Sequence, residues 1–177
     1  MIGFSVKKTL FLLFLIQLCS FFNGSHVKAQ FVSATIGING LTCSLCSFGV
    51  ERELKKLDFI ESVRMDLNQN IASILFIPNK VVKMNEVVKA VYNAGFSVGY
   101  SQAVFSFDSI SVDKNSSFLY QGDHYTIINI EAQELKQEKI IRFVNKKFVE
   151  PKEYKKWEAK IKTSTKNSKA LYYIIVL

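Results

Sequence analysis

The sequence predicts an α+β fold class: a βαββαβ unit across residues 30–104, then a small, mainly β unit across residues 105–177. Three observations carry that prediction. Between Phe31 and Val104, apolar residues switch repeatedly between a period of two and a helical period. After Phe105 the helical period fades, and short apolar runs are separated by polar turn residues. The chain has 177 residues, 49% hydrophobic and 13% aromatic, which supports a packed core and excludes global disorder.

In the first unit, Val32, Ala34, Ile36 and Ile38 share one face of a predicted strand that Gly40 ends. Helical spacing follows Cys46. Val50, Leu54 and Leu57 fall at i, i+4 and i+7, while Glu51, Arg52, Glu53, Lys55 and Lys56 face outward. Val63, Met65 and Leu67 alternate as a second strand, and Asn68-Gln69-Asn70 supplies a turn. Ile71 to Ile77 reads as a third strand stopped by Pro78. Val87, Val88, Val91 and Ala94 mark a second amphipathic helix closed by Gly95, and Phe96 to Val104 is the fourth strand. This order is the split βαβ, or ferredoxin-like, arrangement.

The second unit offers strand-like runs at 105–112, 117–120, 125–130, 139–144 and 171–177. A five-stranded barrel is one closure that fits five such runs. Residues 145–169 are polar and rich in lysine, although Tyr154, Trp157 and Ile161 fall at i, i+3 and i+7 and suit one short helix. Glu150, Glu153 and Glu158 interleave with the lysines, so this stretch reads as a solvated surface and not as a site for nucleic acid or anionic lipid.

Residues 1–29 read as a signal peptide. Lys7 and Lys8 precede the apolar run Leu10 to Ile16, and Val27-Lys28-Ala29 supplies a cleavage site. The apolar stretch from Thr9 to Phe22, interrupted by Gln17 and Cys19, falls short of the roughly 20 residues that span a bilayer. The expected location is periplasmic or secreted, with no integral membrane segment once the signal is removed. Cleavage takes away Lys7, Lys8 and Lys28 from a chain of formal charge +8. It also removes Cys19 and His26, leaving Cys43, Cys46 and His124 as the remaining soft or borderline ligands.

The chemistry concentrates in Cys43-Ser44-Leu45-Cys46. Two thiols on one tight turn, the second in the opening turn of a helix, sit where free N–H groups and the helix dipole favour thiolate. Two thiolates without further donors suit a soft ion of low coordination number: Cu(I) first, with Ag(I) and Hg(II) as chemical relatives. Structural Zn(II) would require two more ligands. His124, beside Asp123 in an expected turn, reads as an exposed histidine.

Gly40-Leu41-Thr42-Cys43-Ser44-Leu45-Cys46 resembles the GMTCxxC signature of heavy-metal-associated domains. These occur in copper chaperones, in copper-transporting P-type ATPases and in the periplasmic mercury-binding protein. Val50, Glu51, Leu54 and Leu57 keep the family's helix spacing, Val63 to Asn68 is similar to its second strand, and Ala94-Gly95-Phe96 is similar to its Ala-Gly-Tyr/Phe segment. The resemblance covers residues 31–104 and implies a βαββαβ fold that binds metal through Cys43 and Cys46. Leu41 replaces the family's methionine, a swap of similar volume and polarity. Phe96 stands where the family places a residue close to the metal loop, either shielding it or serving as ordinary core.

The expected function is capture, buffering or transfer of Cu(I), with a metal-donating or metal-accepting protein as partner. Thiol–disulfide redox work by the same pair is the alternative; a protein-interaction module with a vestigial metal site is another. No Ser/His/Asp set, paired carboxylate motif, phosphate loop or nucleotide fingerprint is visible, so no catalytic residue is assigned and no enzyme is expected.

Overall fold

Among the described residues, eight strands hydrogen-bond into one sheet in the order β2-β3-β1-β4-β7-β8-β6-β5. This computed structural model describes residues 30–108, 110–113, 115–130, 135–165 and 172–177. The expected signal peptide, with Cys19 and His26, lies outside the described residues. Its elements are β1 (Gln30–Asn39), α1 (Ser44–Leu54), β2 (Ile60–Asp66), β3 (Ile71–Phe76), α2 (Met84–Asn93), β4 (Ser97–Ser106), β5 (Ser117–Tyr120), β6 (Asp123–Ile127), β7 (Glu138–Phe143), α3 (Pro151–Thr165) and β8 (Tyr172–Val176).

The first six elements follow the predicted βαββαβ order. β1 is central, antiparallel to β3 on one side and to β4 on the other. Ala34, Ile36 and Ile38 of β1 are buried together with Val50 and Leu54 of α1 and Met84, Val87, Val88 and Val91 of α2. The spacing of those helical residues dictates this: one apolar stripe per helix must cover one face of the sheet. One detail differs. A register shift between Phe31 and Ser33 puts Phe31, not Val32, in the core beside Ala34. An extra residue in one strand flips the alternation beyond it, and period-two reading cannot see where that happens.

The barrel expected for residues 105–177 does not form. The run 105–112 is not a strand of its own, because β4 ends at Ser106. Its outer edge pairs antiparallel with β7 from Ser101↔Phe143 to Ser106↔Glu138, and the later strands extend the same sheet. β7 continues antiparallel to β8, β8 runs parallel to β6, and β6 forms a hairpin with β5. The sheet is open, with β2 and β5 at its ends.

It is nevertheless strongly rolled. Five strand spacings of about 4.8 Å separate β1 from β5 along the sheet, roughly 24 Å if it were flat. Yet the rings of Phe31 on β1 and Tyr120 on β5 lie 5.6 Å apart. Phe31 also meets Phe105 at 4.9 Å, while Phe118 stacks on Tyr125 and Tyr125 on Tyr172. The roll closes around aromatic rings that supply large apolar area per residue.

The helix α3 packs beside a second, smaller cluster of Val144, Ile161, Tyr173 and Ile175, with Tyr154 and Trp157 against it. Those two aromatics therefore anchor the lysine-rich segment. No helix of the described residues is long and apolar enough to cross a membrane.

Candidate functional site

The loop between β1 and α1 carries the cysteine pair, and its shape follows from three residues. Gly40 adopts φ +81°, a left-handed turn that costs an L side chain strain and costs glycine none. Leu41 then turns inward, 2% exposed, and fixes the loop to the core. Cys43 is the N-cap of α1: its backbone is extended, φ −143° and ψ 155°, and its Sγ accepts a hydrogen bond from the Cys46 N–H at 3.1 Å. The Cys43 carbonyl accepts from the Ser47 N–H, and the Ser47 hydroxyl donates to the Ser44 carbonyl at 2.8 Å. No acidic residue occupies the first turn of α1. An N-cap sulfur that receives a backbone N–H at the positive end of a helix favours the thiolate when it is reduced.

Cys43 and Cys46 are joined in a disulfide across 5.2 Å between their Cα atoms. Cys43 is exposed and Cys46 is half-buried against the core. Around them Leu45 is 81% and Phe48 60% exposed, leaving an apolar rim on the outer side of the helix start. Among the described residues, no group of three or more His, Cys, Asp and Glu side chains gathers in a way that could hold a metal ion. The donor set at the loop is thus the two sulfurs, chemistry that fits a soft ion of low coordination number and fits tetrahedral zinc poorly.

The other residues singled out from the sequence fall elsewhere. Phe96 is half-buried and packs against the core cluster. His124 is exposed as expected, but it lies in strand β6 and not in a turn, opposite Leu119 of β5. Sequence reasoning missed Leu45 and Phe48 as a rim. Their helical offset from the buried Val50 and Leu54 was the available signal.

The profile of the heavy-metal-associated domain matches residues 35–97, a span that includes both cysteines. Residues 35–97 are a heavy-metal-associated domain. The domain is 36% identical over 61 residues to the copper-transporting ATPase RAN1 of Arabidopsis thaliana, covering 34% of this chain and 6% of that protein. A copper-transporting ATPase of Helicobacter felis is 33% identical over 92 residues, covering 52% of this chain and 11% of the relative. The chain thus spans only a small part of the length of these relatives. Among solved structures, a copper-binding domain from HMA7, a P-type ATPase, has a TM-score of 0.35 at 28% identity, covering 41% of this chain and 92% of that one. Oxidised MerP from Ralstonia metallidurans CH34 has a TM-score of 0.33 at 26% identity, with 40% and 97% covered.

Proposed function

We propose that this heavy-metal-associated domain binds Cu(I) through Cys43 and Cys46 and passes it to or from a partner protein outside the cytoplasm. The observation that carries the reading is the donor set: two sulfurs at an exposed helix start, one of them capping that helix, within a domain family shared with copper-transporting ATPases. Ag(I) and Hg(II) are soft enough to occupy the same pair. The exposure of Cys43 leaves room for an incoming thiolate from a donor or acceptor. Capture and release by ligand exchange need no catalytic residue, so the chain acts as a binding protein and not as an enzyme. The basic, apolar, small-residue layout of 1–29 supports export.

Anaerobic titration of the chain reduced with a non-thiol reductant tests the proposal, with a chelator of known affinity as competitor. One tightly held Cu(I) per chain is expected, with Zn(II) held far more weakly. The oxidised chain should bind neither until its disulfide is opened.

The Cys43–Cys46 disulfide favours a second reading, thiol–disulfide exchange with a client. Fast reduction of insulin disulfides, combined with feeble and unselective metal binding, would make that reading the better one.

A further inference from the structure

Helix α3 sorts its side chains into three bands. Tyr154, Trp157 and Ile161 face the sheet. Glu153 and Glu158 flank that apolar band, half-buried, and both are engaged: Glu153 accepts from Arg142 of β7 at 3.2 Å, and Glu158 pairs with Lys162 at 3.1 Å. Lys152, Lys155, Lys156 and Lys160 fill the outer band at i, i+3, i+4 and i+8, all exposed. Among the described residues, none of these four lies within ion-pair distance of an acid. In the sequence the glutamates interleave with the lysines; in the fold Glu153 and Glu158 lie beside the lysine band, and Glu150 lines a different hollow with Arg142. Every charged residue in the outer band of this helix, about 22 Å long, is therefore a cation, with the exposed Ala159 and Thr163 between the lysines.

The turn before α3 continues this face. Lys146 and Lys147 are exposed, and with Lys155 they line a hollow of about 370 Å³ over Val149, Pro151 and Tyr154, with the Lys146 ammonium 5.3 Å from the centre of the Tyr154 ring and Glu158 at the margin. The combination is specific: a cationic rim over an apolar floor, next to a row of lysines on one helix face. A free phosphate would use the rim and leave the floor bare. An acidic polypeptide held by paired contacts would call for converging donors, preferably the planar fork of arginine, and α3 contains no arginine. Lysines on a convex helix are dispersed point charges, which suit a surface of many diffuse anionic groups.

We infer that α3 and the Lys146-Lys147 turn form a docking face for an anionic phospholipid bilayer, with the hollow seating the headgroup and upper chain of one lipid. The face belongs to residues 146–160, outside the segment that carries the cysteines, so it is independent of the metal reading.

Co-sedimentation of the full chain with vesicles tests this, comparing pure phosphatidylcholine with phosphatidylcholine containing about one-third phosphatidylglycerol. Partitioning should be at least about tenfold stronger on the anionic vesicles, given the gain expected for each lysine near such a surface. It should collapse at about 0.5 M salt, where the screening length is about 4 Å. The variant carrying Lys152→Glu, Lys155→Glu, Lys156→Glu and Lys160→Glu should lose that preference, with an unchanged far-UV circular dichroism spectrum and unchanged Cu(I) stoichiometry. Lys147→Glu alone, at the hollow, should weaken it severalfold. Equal binding to neutral and anionic vesicles, or anionic binding that survives the fourfold reversal, would overturn the inference. Retention on immobilised poly-glutamate without vesicle binding would assign the face to an acidic protein and overturn it equally.

Discussion

Leu41 and Gly37 hold the loop and the sheet behind it by contacts that tolerate little change. Leu41 is fully buried directly ahead of Thr42 and Cys43, so the position of the first sulfur depends on it. Leu41→Ala should cost about 2–5 kcal/mol of stability, whereas Leu41→Met should cost less than about 1.5 kcal/mol. Urea unfolding of both variants checks this, and only the alanine variant should also loosen metal binding. On the other face, the Tyr100 ring occupies the space where a side chain at Gly37 would go, and a Cβ there would overlap the ring edge. That ring carries the Arg142 guanidinium 5.3 Å from its centre, and Arg142 also holds Glu153. With the Gln102 amide turned so that its oxygen faces Arg142, that oxygen accepts at 2.5 and 3.0 Å. Gly37→Ala should therefore displace Tyr100 and destabilise the chain by about 1–3 kcal/mol, read as a lower urea midpoint. The cysteine pair was legible in the sequence because its meaning lies in a spacing of three residues within a helix start. The Tyr100–Gly37 contact was not legible, because only the register of β1 on β4 brings the two together.

At the scale of elements, local periodicity revealed β1 to β4 and both of their helices, since each buries its own stripe or face and is bounded by its own turn residues. It failed where a strand's partner decides its role. The residues 105–106 finish β4, and β4 binds β7 along its free edge, a pairing that depends on chain segments more than thirty residues apart. Helix α3 shows the same limit in milder form. Tyr154, Trp157 and Ile161 announced a short helix, and the intervening lysines, good helix formers, lengthen it to 15 residues. The joint between the two halves is Phe31, whose ring contacts Phe76 of β3, Phe105 of β4, Phe143 of β7, Tyr120 of β5 and Tyr125 of β6. Phe31→Ala should cost about 3–5 kcal/mol, because so many rings from separate strands cannot all collapse into the space it leaves. Thermal unfolding should remain a single transition at a lower midpoint. Two transitions already in the unsubstituted chain would show that the halves melt independently and that Phe31 does not join them.

For the molecule as a whole, the aromatic core sets the alkaline limit of stability. Burial pushes the Tyr172 hydroxyl up to about 12, with the Asp123 carboxylate adding to the effect, and burial raises Tyr120 and Tyr125 as well. In the unfolded chain a tyrosine ionises near 10. Between about pH 10 and 12 the unfolded state therefore holds fewer protons than the native state, and stability falls as pH rises. Below about pH 10 this contribution is fully present. A urea midpoint that stays level to pH 9 and then drops steeply, with phenolate absorbance appearing together with unfolding, is the expected result. The rolled sheet and its rings thus provide a rigid frame, and the β1–α1 loop projects from it with both sulfurs at a helix start. X-ray absorption at the copper edge of the anaerobically loaded chain tests that central claim most directly. Two sulfur neighbours and no third protein ligand are predicted, with the signal lost in Cys43→Ser and Cys46→Ser variants that keep their circular dichroism spectra. Copper bound through nitrogen or oxygen donors, or bound equally well without the two cysteines, would contradict it.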